Sequence, residues 1–404
     1  MLSLSDVVAA RDRVADAARH TPQERSRTFS EMTGADVHLK LENFQRTGAF
    51  KIRGAMNRIA TLSPAEREAG GVTASAGNHA QGVALAADRA GVDAIVVMPR
   101  FAPVSKVKAT RGYGASVVLH GVDYDEAQAR AHEIERDQGR TYVHAFDDPA
   151  VMAGQGTIGL EIADDLPEVD TVVVPVGGGG LISGVAVAVK ERLGDDVRVV
   201  GVQAEGASSA RESLRTGERH EIDSVDTIAD GIATRSVGES TLEVMREYVD
   251  EVVVVDDREI ALALALLLER SKTLVEGAGA VSLAAVLSEA FAYEDDESIV
   301  AALCGGNIDL NRLTTVIRHG LVQMGRYLKV TIDLKDRPGE LERVSSIVAR
   351  AGANVYAVHH DRTSRDVAVN AAELELELET DDAEHAADIV DELEAHGYDV
   401  RITS

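Results

Sequence analysis

The chain has 404 residues, 45% of them hydrophobic, and a formal net charge of −27 at pH 7. A surface this acidic repels nucleic acid and anionic membranes, so neither is expected as a partner. The longest apolar run, residues 260–268, is far shorter than the ~20 residues of a membrane helix. The single cysteine, Cys304, excludes a disulfide framework or a cysteine zinc cluster within one chain. We therefore expect a cytoplasmic protein of two or three domains.

The acidic residues are dispersed along the chain, and only eight of the 41 basic residues are lysine. This halophilic-type composition indicates a protein that stays soluble in high salt, where screening over about 3 Å at 1 M removes charge repulsion. We predict that the free energy of unfolding rises as KCl is titrated to molar concentrations. A free energy that does not respond to salt would contradict this interpretation.

Strand-like and helix-like segments alternate through the first three quarters of the chain, which predicts α/β layers with mainly parallel sheets. The helix after Lys51 is expected to stop at Ser63, and no regular element is expected over residues 203–225. We assign residues 1–325 to one large domain, with a small subdomain at about 47–145 inserted in it. The predicted strands are residues 37–42, 70–74, 94–98, 115–119, 141–143, 171–176, 197–202, 251–255 and 298–303.

Residues 326–404 have a different pattern of predicted strands and helices from the rest of the chain. This pattern predicts a separate small domain. Residues 371–380 alternate between apolar and acidic side chains, which indicates a strand with one buried and one solvated face. The predicted order is βαββαβ, with strand 328–334, helix 340–351, strands 354–360 and 366–379, helix 383–396 and strand 399–403.

Lys51 stands where a predicted strand gives way to a helix, between Phe50 and Ile52. A surface lysine needs no such setting, whereas a desolvated ammonium has a lowered pKa and can form a Schiff base. A half-buried lysine that reaches solvent beside a helix start is the alternative that this stretch leaves open.

Four glycines follow the predicted strand 171–176 and open a helix: Gly177, Gly178, Gly179 and Gly180. Their backbone N–H groups at a helix start suit a phosphate, and a simple turn would not need four glycines. A dinucleotide site is disfavoured, because Ser183 stands in place of a third glycine and Glu205 is the nearest acidic candidate. A nucleoside triphosphate loop would need a lysine that is absent here. One compact phosphate monoester fits better.

Residues 75–79 form another predicted strand-to-helix turn, with Ser75, Asn78 and His79. Hydroxyl, amide and imidazole groups beside helix N–H groups suit a carboxylate such as that of an amino acid. A capped helix with His79 packed on a neighbour is the alternative. Cys304 follows the last predicted strand, where open α/β sheets bind ligands, although a lone cysteine is commonly part of a core.

A buried lysine, a phosphate site and a carboxylate site together indicate pyridoxal 5'-phosphate chemistry on an amino acid. Over residues 1–325 the chain resembles the fold type II pyridoxal-phosphate enzymes, and among them the threonine/serine dehydratases, or threonine ammonia-lyases. The tail, with its DRPGEL turn, resembles an ACT domain, which senses amino acids. The first resemblance is carried by TGAFKIRGA, SAGNHAQG, DDPxxxAGQGTIGLEI, VPVGGGGLISG, IADGIA, VEGAGA and CGGNIDL, in that order.

The resemblance implies roles for individual residues. Lys51 resembles the lysine that carries the cofactor, and Phe50 the ring packed against it. Asn78 is similar to the asparagine that binds the cofactor's 3-oxygen, and glycines 177–180 to its phosphate loop. Cys304 falls where the family has a serine or cysteine facing the pyridine nitrogen. The implied substrate contacts are Ser75, Asn78, His79 and Gln155.

The activity that this resemblance implies is β-elimination of L-threonine, and of L-serine, to 2-oxobutanoate or pyruvate and ammonia, as the first step of isoleucine synthesis. A neutral thiol at Cys304 would favour elimination, and Lys51 would be the general base. Serine racemase is the rival enzyme, but Ala76 stands where racemases carry a second serine. Arg211 replaces an acidic metal ligand near Glu205, so no metal is expected.

Two further alternatives remain from the sequence. A β-replacement enzyme like cysteine synthase is disfavoured by the motifs around Ser75 and Cys304. A non-catalytic amino-acid sensor is disfavoured by the intact Lys51.

The ACT resemblance implies a homodimer or homotetramer and an effector, isoleucine or valine, near residues 336–341 and 352–354. The sequence leaves open the preference between threonine and serine, the effector and its sign, and the oligomeric state.

Overall fold

The computed structural model describes residues 2–363 and 370–403. The chain divides into two compact units, residues 1–309 and 310–404. Among the described residues, no helix is both long and apolar enough to span a membrane. The first unit contains the parallel sheets and the second an antiparallel sheet.

The strands of the first unit alternate with helices, as the sequence predicts. In chain order the strands are β1 Gln23–Arg25, β2 Asp36–Lys40, β3 Gly71–Ala74, β4 Ala94–Met98, β5 Ser116–Leu119, β6 Thr141–Tyr142, β7 Thr171–Pro175, β8 Arg198–Ala204, β9 Glu251–Val255 and β10 Ser298–Ala302.

The helices of the first unit cover these strands. They are α1 Leu4–Val14, α2 Arg27–Thr33, α3 Lys51–Ala60, α4 Pro64–Ala69, α5 Asn78–Ala90, α6 Val104–Gly112, α7 Tyr124–Gln138, α8 Pro149–Asp165, α9 Gly180–Leu193, α10 Ser209–Thr216, α11 Glu239–Tyr248, α12 Asp257–Arg270 and α13 Gly277–Leu287.

Two sheets organise this unit, and the prediction of mainly parallel α/β layers is confirmed. The larger sheet has the strand order β1-β2-β10-β7-β8-β9, and the smaller one β5-β4-β3-β6. All neighbours are parallel except β1 and β2. Every residue of β7 is buried, which explains its continuous apolar sequence. Because β7 and β10 are adjacent and parallel, the glycine run and Cys304 leave the sheet at the same edge.

Some elements differ from the sequence prediction. Ser63, expected to stop a helix, instead starts one: its side chain accepts from Glu66 N and caps α4, with proline in the first turn. The stretch 203–225, expected to be irregular, contains α10. Strand β1 was not predicted, because three polar residues, Gln23–Arg25, carry no apolar alternation.

The second unit contains α14 Leu310–Gln323, β11 Tyr327–Lys335, α15 Glu340–Arg350, β12 Asn354–Asp361, β13 Ala371–Glu379, α16 Ala383–Ala395 and β14 Val400–Ile402. Its antiparallel sheet has the order β12-β13-β11-β14, which is consistent with an ACT domain. Leucines 374, 376 and 378 are buried and the intervening glutamates are partly exposed, as the alternation predicts. The predicted start of this strand, 366–369, lies outside the described residues. The domain boundary at 325/326 stays a prediction.

A buried cluster of charges fixes α3 to the large sheet. Arg53 is 1% exposed and contacts Glu42 and Glu161, each at 2.7 Å. Lys40, which is fully buried, lies 2.9 Å from Glu161. Asp165 also lies 3.4 Å from the Lys40 amine, so the cluster pairs two cations with three carboxylates whose opposite charges compensate one another. It anchors the helix that begins at Lys51.

We predict that Arg53→Met lowers the free energy of unfolding by about 3–5 kcal/mol, because it leaves buried Glu42 uncompensated. Urea unfolding measures this change. Arg27→Met is the matched control, since the Arg27–Glu31 pair is exposed and should contribute little. Equal stability of the Arg53 variant and the wild type would contradict the structural role of the cluster.

Candidate active site

A cavity of about 830 Å³ opens in the first unit at the carboxyl ends of the strands. It brings together most of the residues selected from the sequence. Those lining it are Phe50, Lys51, Ser75, Asn78, His79, Gly177, Gly178, Gly179, Gly180 and Cys304.

Lys51 is the first residue of α3 and reaches into this cavity. The backbone N–H of Phe50 donates to the Cys304 carbonyl at 3.2 Å, which fixes the segment to the end of β10. The Lys51 Nζ donates to the Ala145 carbonyl at 2.9 Å and lies 5.0 Å from the centre of the Phe50 ring. Burial lowers the pKa of Lys51 from 10.5 to about 8, although Cys304 and Glu276 offset part of the shift. Roughly a tenth of the amine is therefore unprotonated at pH 7, far more than at the ordinary pKa of 10.5.

The four glycines form the turn between β7 and α9. Gly179, with φ of 93°, caps α9 without a side-chain hydrogen bond, so the first N–H groups of the helix have no acceptor within it. A Cβ atom at Gly178 would lie 2.4 Å from the Phe146 ring, and one at Gly180 2.7 Å from the Phe146 carbonyl oxygen. Side chains are excluded here, and the backbone of the four glycines lines the cavity. This arrangement suits a phosphate.

The turn before α5 offers a second helix start. Gly77 caps α5 without a side-chain hydrogen bond, and the Ser75 hydroxyl accepts from Gly77 N at 3.1 Å. His79 is 4% exposed, and its Nε2 lies 3.0 Å from the Val143 carbonyl. Burial lowers the pKa of His79 to about 3, so the ring is neutral and Nε2 donates. The free N–H groups of α5 suit a carboxylate.

Asn78 belongs to a hydrogen-bond network that includes residues not selected from the sequence. Its Nδ2 donates to Glu276 Oε1 at 2.6 Å, and its Oδ1 accepts from Asn307 Nδ2 at 2.9 Å. Burial raises the pKa of Glu276, partly offset by the hydrogen bond from Asn78. Burial also raises the pKa of Cys304 well above its usual value, so this thiol is neutral. Glu276 and Asn307 both lie in quoted motifs, VEGAGA and CGGNIDL, which could have identified them.

Residues 144–148 were also missed as a part of the site. His144, Ala145, Phe146 and Asp147 line the cavity. The Asp147 carboxylate accepts from Glu239 N at 3.1 Å and from Ser240 N at 3.0 Å. This segment therefore joins Lys51, the glycine run and the start of α11. The DDP string was the sequence signal for it.

Gln155 is the one predicted contact that the structure does not bring to the cavity. It lies in α8, is 1% exposed, and its Oε1 accepts from Gly54 N at 3.1 Å. Its amide thus holds α3 against α8, and its contact with the substrate stays a prediction. Within residues 2–363 and 370–403, no group of three or more His, Cys, Asp or Glu side chains is arranged to hold a metal. The expectation of no metal stays a prediction.

The residues of the cavity fit pyridoxal phosphate. An uncapped helix start after glycines matches its phosphate, and an amine with a pKa of about 8 matches its aldehyde. The neutral Cys304 thiol and the amide of Asn78 offer uncharged partners for the ring.

Comparison with known proteins agrees with this geometry. The family described as "Pyridoxal-phosphate dependent enzyme" matches residues 14–305. The L-threonine ammonia-lyase of Thermotoga maritima is 49% identical over 402 residues, covering 100% of both chains. Threonine deaminase isoform 2 from Solanum lycopersicum has a TM-score of 0.75 at 40% identity, over 78% of this chain and 92% of that one. Maize serine racemase has a TM-score of 0.75 at 36% identity, over 80% of this chain and 98% of that one. The chain belongs to the pyridoxal-phosphate dependent enzyme family.

Proposed function

We propose that this chain is an L-threonine ammonia-lyase, which converts L-threonine to 2-oxobutanoate and ammonia and L-serine to pyruvate and ammonia. The observation that carries the proposal is the Lys51 amine, with its pKa lowered to about 8, beside a neutral Cys304 thiol in one cavity. The similarity to the Thermotoga maritima enzyme along the whole chain supports it. The product 2-oxobutanoate places the reaction at the first step of isoleucine synthesis.

The residues that would hold pyridoxal phosphate are Lys51 at the aldehyde, glycines 177–180 at the phosphate, and Phe50, Asn78 and Cys304 around the ring. When bound, the cofactor withdraws electrons from the Cα atom of the amino acid.

The chain's own groups would remove the Cα proton, hold the substrate carboxylate and favour elimination. The lowered pKa makes the Lys51 Nζ available as the base for the Cα proton. The N–H groups at the start of α5, with Ser75, would hold the carboxylate. A buried thiol with a raised pKa does not keep a ring nitrogen protonated as a carboxylate would. Charge at Cα is then relieved by prompt loss of the β-hydroxyl, which favours elimination.

A racemase needs a second proton donor on the opposite face of Cα. Ala76 lines the cavity at the position where a serine would provide that donor, and its methyl group has no proton to give. This supports elimination over racemisation, although maize serine racemase is a structural neighbour.

The second unit supports regulation by an amino acid. We propose that residues 326–404 are an ACT domain that binds isoleucine or valine near residues 336–341 and 352–354. The antiparallel sheet β12-β13-β11-β14 and the helices α15 and α16 support this assignment. We further propose a homodimer or homotetramer in the cytoplasm, where a lone buried thiol stays reduced.

Purified protein loaded with pyridoxal phosphate should release 2-oxobutanoate from L-threonine, and Lys51→Ala should lower kcat by about 10³-fold or more. Lys108→Ala is the matched control, because Lys108 is exposed on α6 and does not line the cavity. The assay measures kcat/KM for L-threonine and L-serine, each with and without isoleucine.

Release of oxo acid by the Lys51 variant at the wild-type rate would contradict the assignment. Conversion of L-serine to D-serine faster than to pyruvate would favour the racemase. Identical kinetics with and without isoleucine or valine would contradict only the proposed effectors and not the proposed reaction.

A further inference from the structure

His144 lies two residues after the end of β6 and lines the cavity that contains Lys51. Its Nδ1 is the acceptor for two backbone N–H groups, those of Phe146 at 3.2 Å and Asp147 at 2.7 Å. A ring nitrogen that accepts two hydrogen bonds carries no proton. Burial also lowers the pKa of His144, so the ring is neutral and its single proton is on Nε2.

The orientation of this ring is fixed by its neighbours. It meets the Phe146 ring edge to face, with centroids 4.6 Å apart and an interplanar angle of 86°. The Tyr142 ring lies on another side of it, with the two ring centroids 6.0 Å apart. Phe146 in turn packs against Gly178 and Gly180, so it cannot move without disturbing the glycine run. No group in residues 2–363 or 370–403 accepts a hydrogen bond from the Nε2 atom of His144.

Two helix starts at the cavity suit the anionic parts of the ligands. The start of α9 suits the phosphate, and the start of α5 suits the amino-acid carboxylate. The amino group of the substrate would react with the aldehyde of the cofactor, which Lys51 would hold. The only polar group of threonine or serine left without a partner is the β-hydroxyl. A neutral N–H donor is the right chemistry for that oxygen.

We propose that His144 recognises the β-hydroxyl of the substrate by donating its Nε2–H to the hydroxyl oxygen, which selects β-hydroxy amino acids and orients the leaving group. This inference rests on the proposed elimination. There the Cα proton passes to Lys51 Nζ, and the Cα–H electron pair forms the Cα–Cβ double bond. The Cβ–O pair goes to the oxygen, which leaves as water with the proton returned by Lys51. His144 keeps its own proton throughout, so it positions the substrate.

The kinetic test compares leaving groups in the loaded enzyme. We expect His144→Phe to lower kcat/KM for L-threonine and L-serine about 10- to 100-fold, the effect of one lost hydrogen bond to a developing charge. The loss with β-chloro-L-alanine should be at least about fivefold smaller, because chloride departs without needing a hydrogen-bond donor. His144→Gln, which keeps an N–H donor, should recover part of the loss with the hydroxy amino acids.

His132→Phe is the matched control. His132 stacks on Tyr142 at 4.3 Å in the same row of rings but does not line the cavity. It should leave all three substrates unaffected. Equal losses for hydroxy and chloro substrates in His144→Phe, or no recovery in His144→Gln, would overturn the proposal.

A second readout is independent of turnover. In ¹⁵N-histidine-labelled protein, with His144→Phe identifying the resonances, we expect Nε2 protonated and Nδ1 bare. A proton on Nδ1 would overturn the proposal. Wild-type protein that releases no oxo acid from threonine or serine would instead refute the proposed function, and this outcome is distinct from a wrong tautomer.

Discussion

Removal of water from the Lys51 amine is the constraint on which the rest of this site depends. It lowers the pKa of Lys51 to about 8, which makes the side chain both a nucleophile and a base. A fixed charge beside it would undo that shift or the chemistry. Three of the groups near the amine are neutral, because burial lowers the pKa of His79 and His144 and raises that of Cys304.

A desolvated lysine has to be held in place, and the structure does this from two sides. On one side, α3 is anchored by Arg53, which is buried against Glu42 and Glu161. On the other, the Lys51 Nζ donates to the carbonyl of Ala145, in the segment that also packs on the glycine run. The segment that carries the proposed hydroxyl donor His144 thus contacts both the base and the phosphate site. Preorganisation of this kind removes reorganisation from the chemical step.

The sequence was sufficient for the α/β fold, the second domain and most of the cavity, because these depend on local patterns. Apolar runs ended by glycines identify parallel strands and helix starts, and a lysine at such a junction is unusual. The features of the site that the sequence did not reveal depend on long-range contacts. Glu276 meets Asn78 across 198 positions, and Gln155 turns from the cavity because Gly54 offers it a hydrogen bond. The tautomer of His144 follows from a backbone turn that no residue pattern encodes.

The most direct test of this account is the ionisation of Lys51 itself. With the cofactor removed, ¹⁵N-lysine-labelled protein has eight side-chain amines to resolve, and Lys51→Met identifies the one of interest. The neutral amine should gain its proton as the pH falls through about 8, well below the ordinary lysine pKa of 10.5. A Lys51 midpoint close to 10.5 would show that the amine is fully hydrated, and it would contradict the claim that burial creates the base.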